Sequence, residues 1–242
     1  AAFVQAVYPE KIYDPYMSEV MANRTGQAYE NLIYGEVDMI FALAPSDEQL
    51  ALAQQAGVEL ELTPIAKEAF VFFVHEKNKV RDLSVEQLKG IYSGHIKNWK
   101  EVGGKNHHIR AFQREKNSGS QTALERFMGD IPIMDPPVED IASLMGTMID
   151  VVSSYKNYPN AIGYTFRYYA TEMVQQHQIR LLSVNGVDPT IETIRSGEYP
   201  IVDEIYAITA GSDNPHIESF INWILSEQGQ KLIEETGYVP IR

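Results

Sequence analysis

Cysteine is absent from the 242-residue chain. Disulfides and thiolate chemistry are therefore excluded. No apolar run approaches the roughly 20 residues that a membrane-spanning helix needs. Positive charge is scarce: 20 Lys and Arg stand against 33 Asp and Glu, a formal net charge of -13. That balance argues against a nucleic-acid partner, which calls for a basic patch. It also means that any anion site must work through local donors against an unfavourable overall field. There is no Walker loop, dinucleotide fingerprint or Gly-x-Ser-x-Gly elbow. No solenoid-like repeat, low-complexity segment or long Pro/Ser/Gly linker is present. His75, His95, His177 and His216 are scattered, and none lies beside a serine in a nucleophile motif. His107-His108 falls in a polar, glycine-containing loop without carboxylates or thiolates at metal spacing, the pattern of a solvated loop. Neither a metal nor a cofactor is expected, and no nucleophile–base pair points to an enzyme.

What is present is a composition 44% hydrophobic and 22% charged, enough for one large domain or two lobes with cores of their own. The chain opens Ala1-Ala2-Phe3-Val4-Gln5-Ala6-Val7, with no initiator Met, basic leader or cleavage pattern. Residues 1–7 look like the inside of a helix stopped by Pro9, and the expectation is a chain that begins part-way into a larger gene product. Beyond them, the apolar spacing predicts helices over 28–34, 47–56, 84–92, 138–155, 168–176, 190–195, 215–226 and 229–236. Strands are predicted over 37–43, 59–63, 70–74, 109–112, 161–166, 179–183 and 201–209. Alternating strands and helices predict α/β layers around a mostly parallel sheet.

One stretch stands out: Arg114-Glu115-Lys116-Asn117-Ser118-Gly119-Ser120-Gln121-Thr122. Ser118 with Gln121 three positions later has the form of a capping box, so a helix begins there. A helix N-terminus presents unpaired N–H groups and a partial positive charge, which suit an anion. Gly119 lets the backbone approach closely. Ser118, Ser120 and Thr122 offer hydroxyls, and Arg114 offers a planar fork for an oxyanion. An ordinary capped helix is the plainer reading of the same residues. Thr25-Gly26-Gln27 and Ser46-Asp47 are further hydroxyl-bearing helix starts, each of which alone reads as an N-cap. Together with Arg114 they could converge on one small oxyanion. A carboxylate such as Asp47 is useful there only if the ligand carries a proton to donate, as monohydrogen phosphate does and sulfate does not. The aromatic cluster Tyr164, Phe166, Tyr168 and Tyr169 reads as core and hinge packing rather than a ligand cage.

At these residues a family becomes recognisable. Arg114-x-x-x-Ser118-Gly119-Ser120 resembles the Arg-x-Asp-Gly-Ser-Gly-Thr loop of the phosphate-binding proteins that serve ABC transporters. Val37-Asp38 followed by Ser46-Asp47 resembles that family's strand ending in a Ser-Asp pair. Ser84-x-Glu86-Gln87-Leu88-x-Gly90-Ile91-Tyr92-Ser93-Gly94 with Asn98-Trp99 is similar to its second-lobe helix and loop. The tail, Phe220-x-x-Trp223-Ile224-Leu225-Ser226-x-x-Gly229-Gln230 through Gly237-Tyr238-Val239-Pro240, resembles its C-terminal helix pair.

The resemblance implies a two-lobed type II periplasmic-binding-protein fold. Residues 1–66 and 167–242 would form the first lobe and 67–166 the second, each a mostly parallel sheet flanked by helices. Phosphate would lie in the cleft. Arg114, Ser118, Gly119 and Ser120 match the second-lobe ligands, Thr25 a first-lobe hydroxyl, and Ser46 or Asp47 the acidic first-lobe position. The implied protein is a monomeric, extracytoplasmic, non-enzymatic subunit of a phosphate importer. Its partners would be inorganic phosphate and the permease subunits, and it could be lipid-anchored through a segment outside this chain. An extracellular adhesion or sensor domain on the same fold, or another oxyanion as ligand, are the alternatives. Two departures stand out. Lys116-Asn117 replaces the family's Asp-Gly, removing an acid that orients the arginine. The opening strand and first phosphate loop have no counterpart here.

Overall fold

The computed structural model describes residues 24–116, 118–136, 141–142, 149, 152, 160–173 and 178–241. The helix expected over 1–7 and most of that expected over 138–155 lie outside these residues, as do residues 174–176 of the helix expected over 168–176. In chain order the described elements are α1 (Thr25–Ile33), β1 (Met39–Leu43), α2 (Asp47–Ala56), β2 (Glu61–His75), β3 (Asp82–Leu83) and α3 (Val85–Tyr92). A 3-10 turn (Trp99–Val102), β4 (Arg110–Ala111), β5 (Gln113–Arg114), α4 (Gly119–Met128), β6 (Ile141–Ala142) and β7 (Ala161–Phe166) follow. The chain continues through a π-helical turn (Tyr169–Met173), β8 (Ile179–Leu181), β9 (Ser183–Val184), α5 (Ile191–Ser196) and β10 (Val202–Thr209). It closes with α6 (Ile217–Ile224), α7 (Glu227–Glu235) and β11 (Val239–Pro240).

Local chemistry sets many of these boundaries. Ser46 and Ser84 each close a full capping box, with Gln49 and Gln87 as the reciprocal partners. Gly57 ends α2 at φ 70°, a left-handed conformation that costs glycine little. Two expectations change. The separate strands over 59–63 and 70–74 are one 15-residue strand. Lys67 and Glu68 interrupt the apolar run in the sequence, but extended backbone continues through them. Ile141–Ala142 is strand rather than helix, because it pairs in parallel with Gln113–Arg114.

The chain forms two compact units, residues 1–67 with 204–242 and residues 68–203. The second reaches past residue 166, where the sequence places its end, because β8 pairs with β2 and β9 pairs with β3. In the first unit β1 pairs with β10, and β11 with the start of β2. Ile65, Ala66, Ala207, Ile224 and Ile233 make one core cluster there, and Tyr29, Leu32, Ile40 and Ile208 another. In the second unit Phe70, Phe72, Tyr92 and Tyr164 are fully buried around the β2–β7 ladder. Each buried side chain of that size is worth roughly 1.5–3 kcal/mol.

The α/β class holds, but the sheets are mixed rather than mostly parallel. β1 with β10, and β2 with β7, β8 and β11, run antiparallel. β3 with β9, β4 with β7, and β5 with β6 run parallel. Helix–strand alternation implies parallel neighbours only where a helix crosses back between them. β2 and β10 instead carry the chain from one unit to the other, and each runs against a neighbour.

Glu68, the first residue of the second unit, is only 4% exposed. Its Oε1 accepts from the N–H of Ala69 at 2.9 Å and of Tyr168 at 3.4 Å, while Oε2 is buried with no hydrogen-bond partner among the described residues. Burial pushes its carboxyl up to about 7, against a smaller opposing pull from these N–H groups and Arg167. A carboxyl raised in the folded state adds no penalty below its unfolded range. The penalty grows between about pH 4.5 and 7 and is complete above. Glu68→Gln should therefore stabilise the protein by on the order of 1–3 kcal/mol at pH 8. The gain should vanish near pH 4. Urea unfolding across that range checks this; an equal difference at both ends would contradict it.

Candidate anion site at the start of helix α4

β5 delivers Arg114 to the edge of the second unit, and the chain turns back through Ser118 N–H donating to Glu115 O at 3.3 Å. Ser118 holds extended backbone and its Oγ accepts from Gln121 N–H at 3.3 Å, so α4 begins at Gly119. Thr122 N–H closes the first turn on Ser118 O at 3.0 Å. The N–H groups of Gly119 and Ser120 precede the first intrahelical bonds and face the open helix end. No acidic side chain occupies that first turn, whereas α2 carries Asp47 and Glu48 and α3 carries Glu86. The first turn of α4 thus sets no carboxylate of its own against the helix's partial positive charge, the condition under which a helix start can take an anion. At the other end of the helix, Arg126 pairs with Asp203 at 3.4 Å, a favourable place for a cation.

Ser120 is 1% exposed, and its hydroxyl has no hydrogen-bond partner among the described residues. A buried hydroxyl in that condition costs about 1–3 kcal/mol, which a ligand oxygen would remove. Nε and Nη1 of Arg114 are buried atoms beside the same turn. Arg114 ends β5, and Ser118, Gly119 and Ser120 form the start of α4.

The capping box expected between Ser118 and Gln121 forms only in half. The side chain of Gln121 turns away from the cap. Its Oε1 accepts from Arg114 N–H at 3.1 Å and from the Tyr164 hydroxyl. The Tyr164 oxygen also accepts from Arg114 N–H, at 2.8 Å. Burial raises the Tyr164 phenol well above its ordinary range, opposed by the Arg114 N–H and the Arg114 charge, so it stays a protonated donor. Tyr164 does pack in the core, against Phe70, Phe72 and Tyr92. The sequence missed its polar end, because no spacing rule links positions 50 residues apart.

The remaining candidates lie in the first unit. Thr25 is the first residue of α1 rather than its cap; that place falls to Arg24, whose side chain makes no cap bond. Ser46 caps α2, its Oγ accepting from Gln49 N–H at 3.3 Å, and Asp47 is the exposed first residue of that helix. α1 and α2 pack against each other.

Two α/β units joined by crossing strands, one of them presenting an arginine, hydroxyls and a helix N-terminus, define a type II solute-binding fold. Residues 1–228 match the family model of the PBP superfamily domain, and the chain belongs to that superfamily. It is similar to the phosphate-binding protein PstS of Bacillus subtilis, 27% identical over 224 residues that cover 92% of this chain and 71% of that protein. PstS of Borreliella burgdorferi is 27% identical over 215 residues, covering 87% of this chain and 76% of its own. Among solved structures it is similar to a phosphate-bound protein from Clostridium perfringens assigned as a phosphate ABC transporter substrate-binding protein. That structure has a TM-score of 0.76 and 26% identity, covering 100% of this chain and 93% of its own. An ABC-type phosphate transport receptor from Vibrio cholerae, 23% identical with a TM-score of 0.71, shares the fold over 99% of this chain and 92% of its own.

Proposed function

We propose that this chain is the extracytoplasmic phosphate-binding subunit of an ABC-type importer, and that its two units are the two lobes of that binding protein. It binds inorganic phosphate without chemical change and presents it to permease subunits. The observation that carries the reading is the buried Ser120 hydroxyl, without a hydrogen-bond partner among the described residues, at the start of α4, whose first turn holds no acidic side chain. The names of the relatives, all binding proteins rather than enzymes, support the same conclusion. In this reading Arg114 places its guanidinium on the phosphate, Ser118 and Ser120 donate hydroxyls, and the N–H groups of Gly119 and Ser120 complete that side. Thr25, Ser46 and Asp47 are the ligand candidates that the first unit contributes to this reading. Asp47 accepts the proton of monohydrogen phosphate.

Isothermal titration with phosphate and sulfate tests this. Phosphate should bind and sulfate should compete weakly. Asp47→Asn should narrow the preference for phosphate over sulfate by about 10-fold or more, since the repelled anion no longer meets a carboxylate. Equal selectivity in that variant would remove Asp47 from the site, and absent phosphate heat in the unchanged protein would overturn the function.

A further inference from the structure

The main-chain N–H of Arg114 is shared between Tyr164 Oη at 2.8 Å and Gln121 Oε1 at 3.1 Å, and the Tyr164 hydroxyl itself donates to Gln121 Oε1. Each member comes from a different element: β5, α4 and β7. The triangle sits in an apolar wall. Tyr164 is fully buried, its ring 5.4 Å from that of Phe70 and 5.5 Å from that of Tyr92, and Gln121 is 6% exposed. Polar groups placed there are costly unless they meet partners, and Phe or Leu would fill the same space without that cost. What the polar pair adds is a fixed main chain at the residue carrying the guanidinium.

We infer that Tyr164 and Gln121 are positioning residues, a neutral hydrogen-bonded clamp that sets the Arg114 guanidinium in place for phosphate. This rests on the reading of Arg114 as a phosphate ligand. The clamp acts only through Arg114, so its contribution must disappear when the guanidinium does. A merely structural role would persist.

The test is a double-mutant cycle on the intact chain, with phosphate affinity measured by titration at millimolar as well as micromolar phosphate. Tyr164→Phe should weaken binding about 10-fold in the unchanged background and less than about 2-fold on top of Arg114→Ala. Gln121→Glu keeps an acceptor in place and should hold affinity within about 3-fold, whereas Gln121→Leu should lose about 10-fold. The Gln121 pair decides the matter even if Tyr164→Phe does not fold. Unchanged affinity in both Tyr164→Phe and Gln121→Leu, or equal losses in both backgrounds, overturns the clamp while leaving phosphate binding intact. Arg114→Ala that binds as well as the unchanged protein overturns the functional reading and the clamp with it.

Discussion

Arg114→Ala is expected to cost this protein most of its phosphate affinity, about 3–4 kcal/mol or a factor of 10² to 10³. In the proposed site the guanidinium would supply paired, charge-assisted hydrogen bonds in a chain whose net charge of -13 repels anions. Its Nε and Nη1 are buried atoms, so water cannot fully replace the interaction. The helix end and the hydroxyls of Ser118 and Ser120 remain in the variant and should retain millimolar binding. The fold should survive, because the clamp on residue 114 acts on its main-chain N–H. The measurement is titration calorimetry alongside a thermal melt: a large loss of affinity with a nearly unchanged melt. Normal affinity would remove Arg114 from the site.

Gly229→Ala should be the most destabilising single-methyl change in the first unit. A Cβ at Gly229 would lie 2.3 Å from the carbonyl oxygen of Ile224 and 2.4 Å from that of Trp223. Both are backbone atoms at the end of α6, so no side chain can rotate aside. Gly229 N–H is also held by Ser226 Oγ at 3.2 Å, which fixes the turn between α6 and α7. Gln230, next in the chain, donates to Ile65 O and Ile224 O at 3.0 Å each, so displacing α7 would break buried bonds as well. The expected loss is about 2–4 kcal/mol in chemical unfolding. A melt within about a degree of the unchanged protein would contradict the close contact.

The Gly229 position shows how much of the fold was legible. The tail from Phe220 to Pro240 was legible through its resemblance to the family's C-terminal helix pair, and the structure adds that Gly229 sits there against the backbone of Trp223 and Ile224. The capped helices α2, α3 and α4 were equally readable, since Ser, Thr and Gln at fixed offsets act through local hydrogen bonds. Strand direction was not, because it depends on where β2 and β10 travel and not on their own residues. The boundary at residue 203 was hidden for the same reason, being set by the pairing of β8 with β2 across a hundred residues. In the site, Arg114, Ser118, Gly119 and Ser120 were visible as neighbours in sequence. Gln121 was visible but misassigned, because an amide three residues after a cap serves the cap unless a distant partner competes for it. Tyr164 was that partner, and its aromatic surroundings read only as core.

The central claim is that inorganic phosphate binds at the start of α4, and the amide resonances of Gly119 and Ser120 report on it directly. In a two-dimensional ¹H–¹⁵N titration of the intact protein, both should shift saturably with phosphate and respond far less to equal sulfate. In Arg114→Ala the shifts should require much higher phosphate. Saturable shifts elsewhere, with Gly119 and Ser120 silent, would contradict the account.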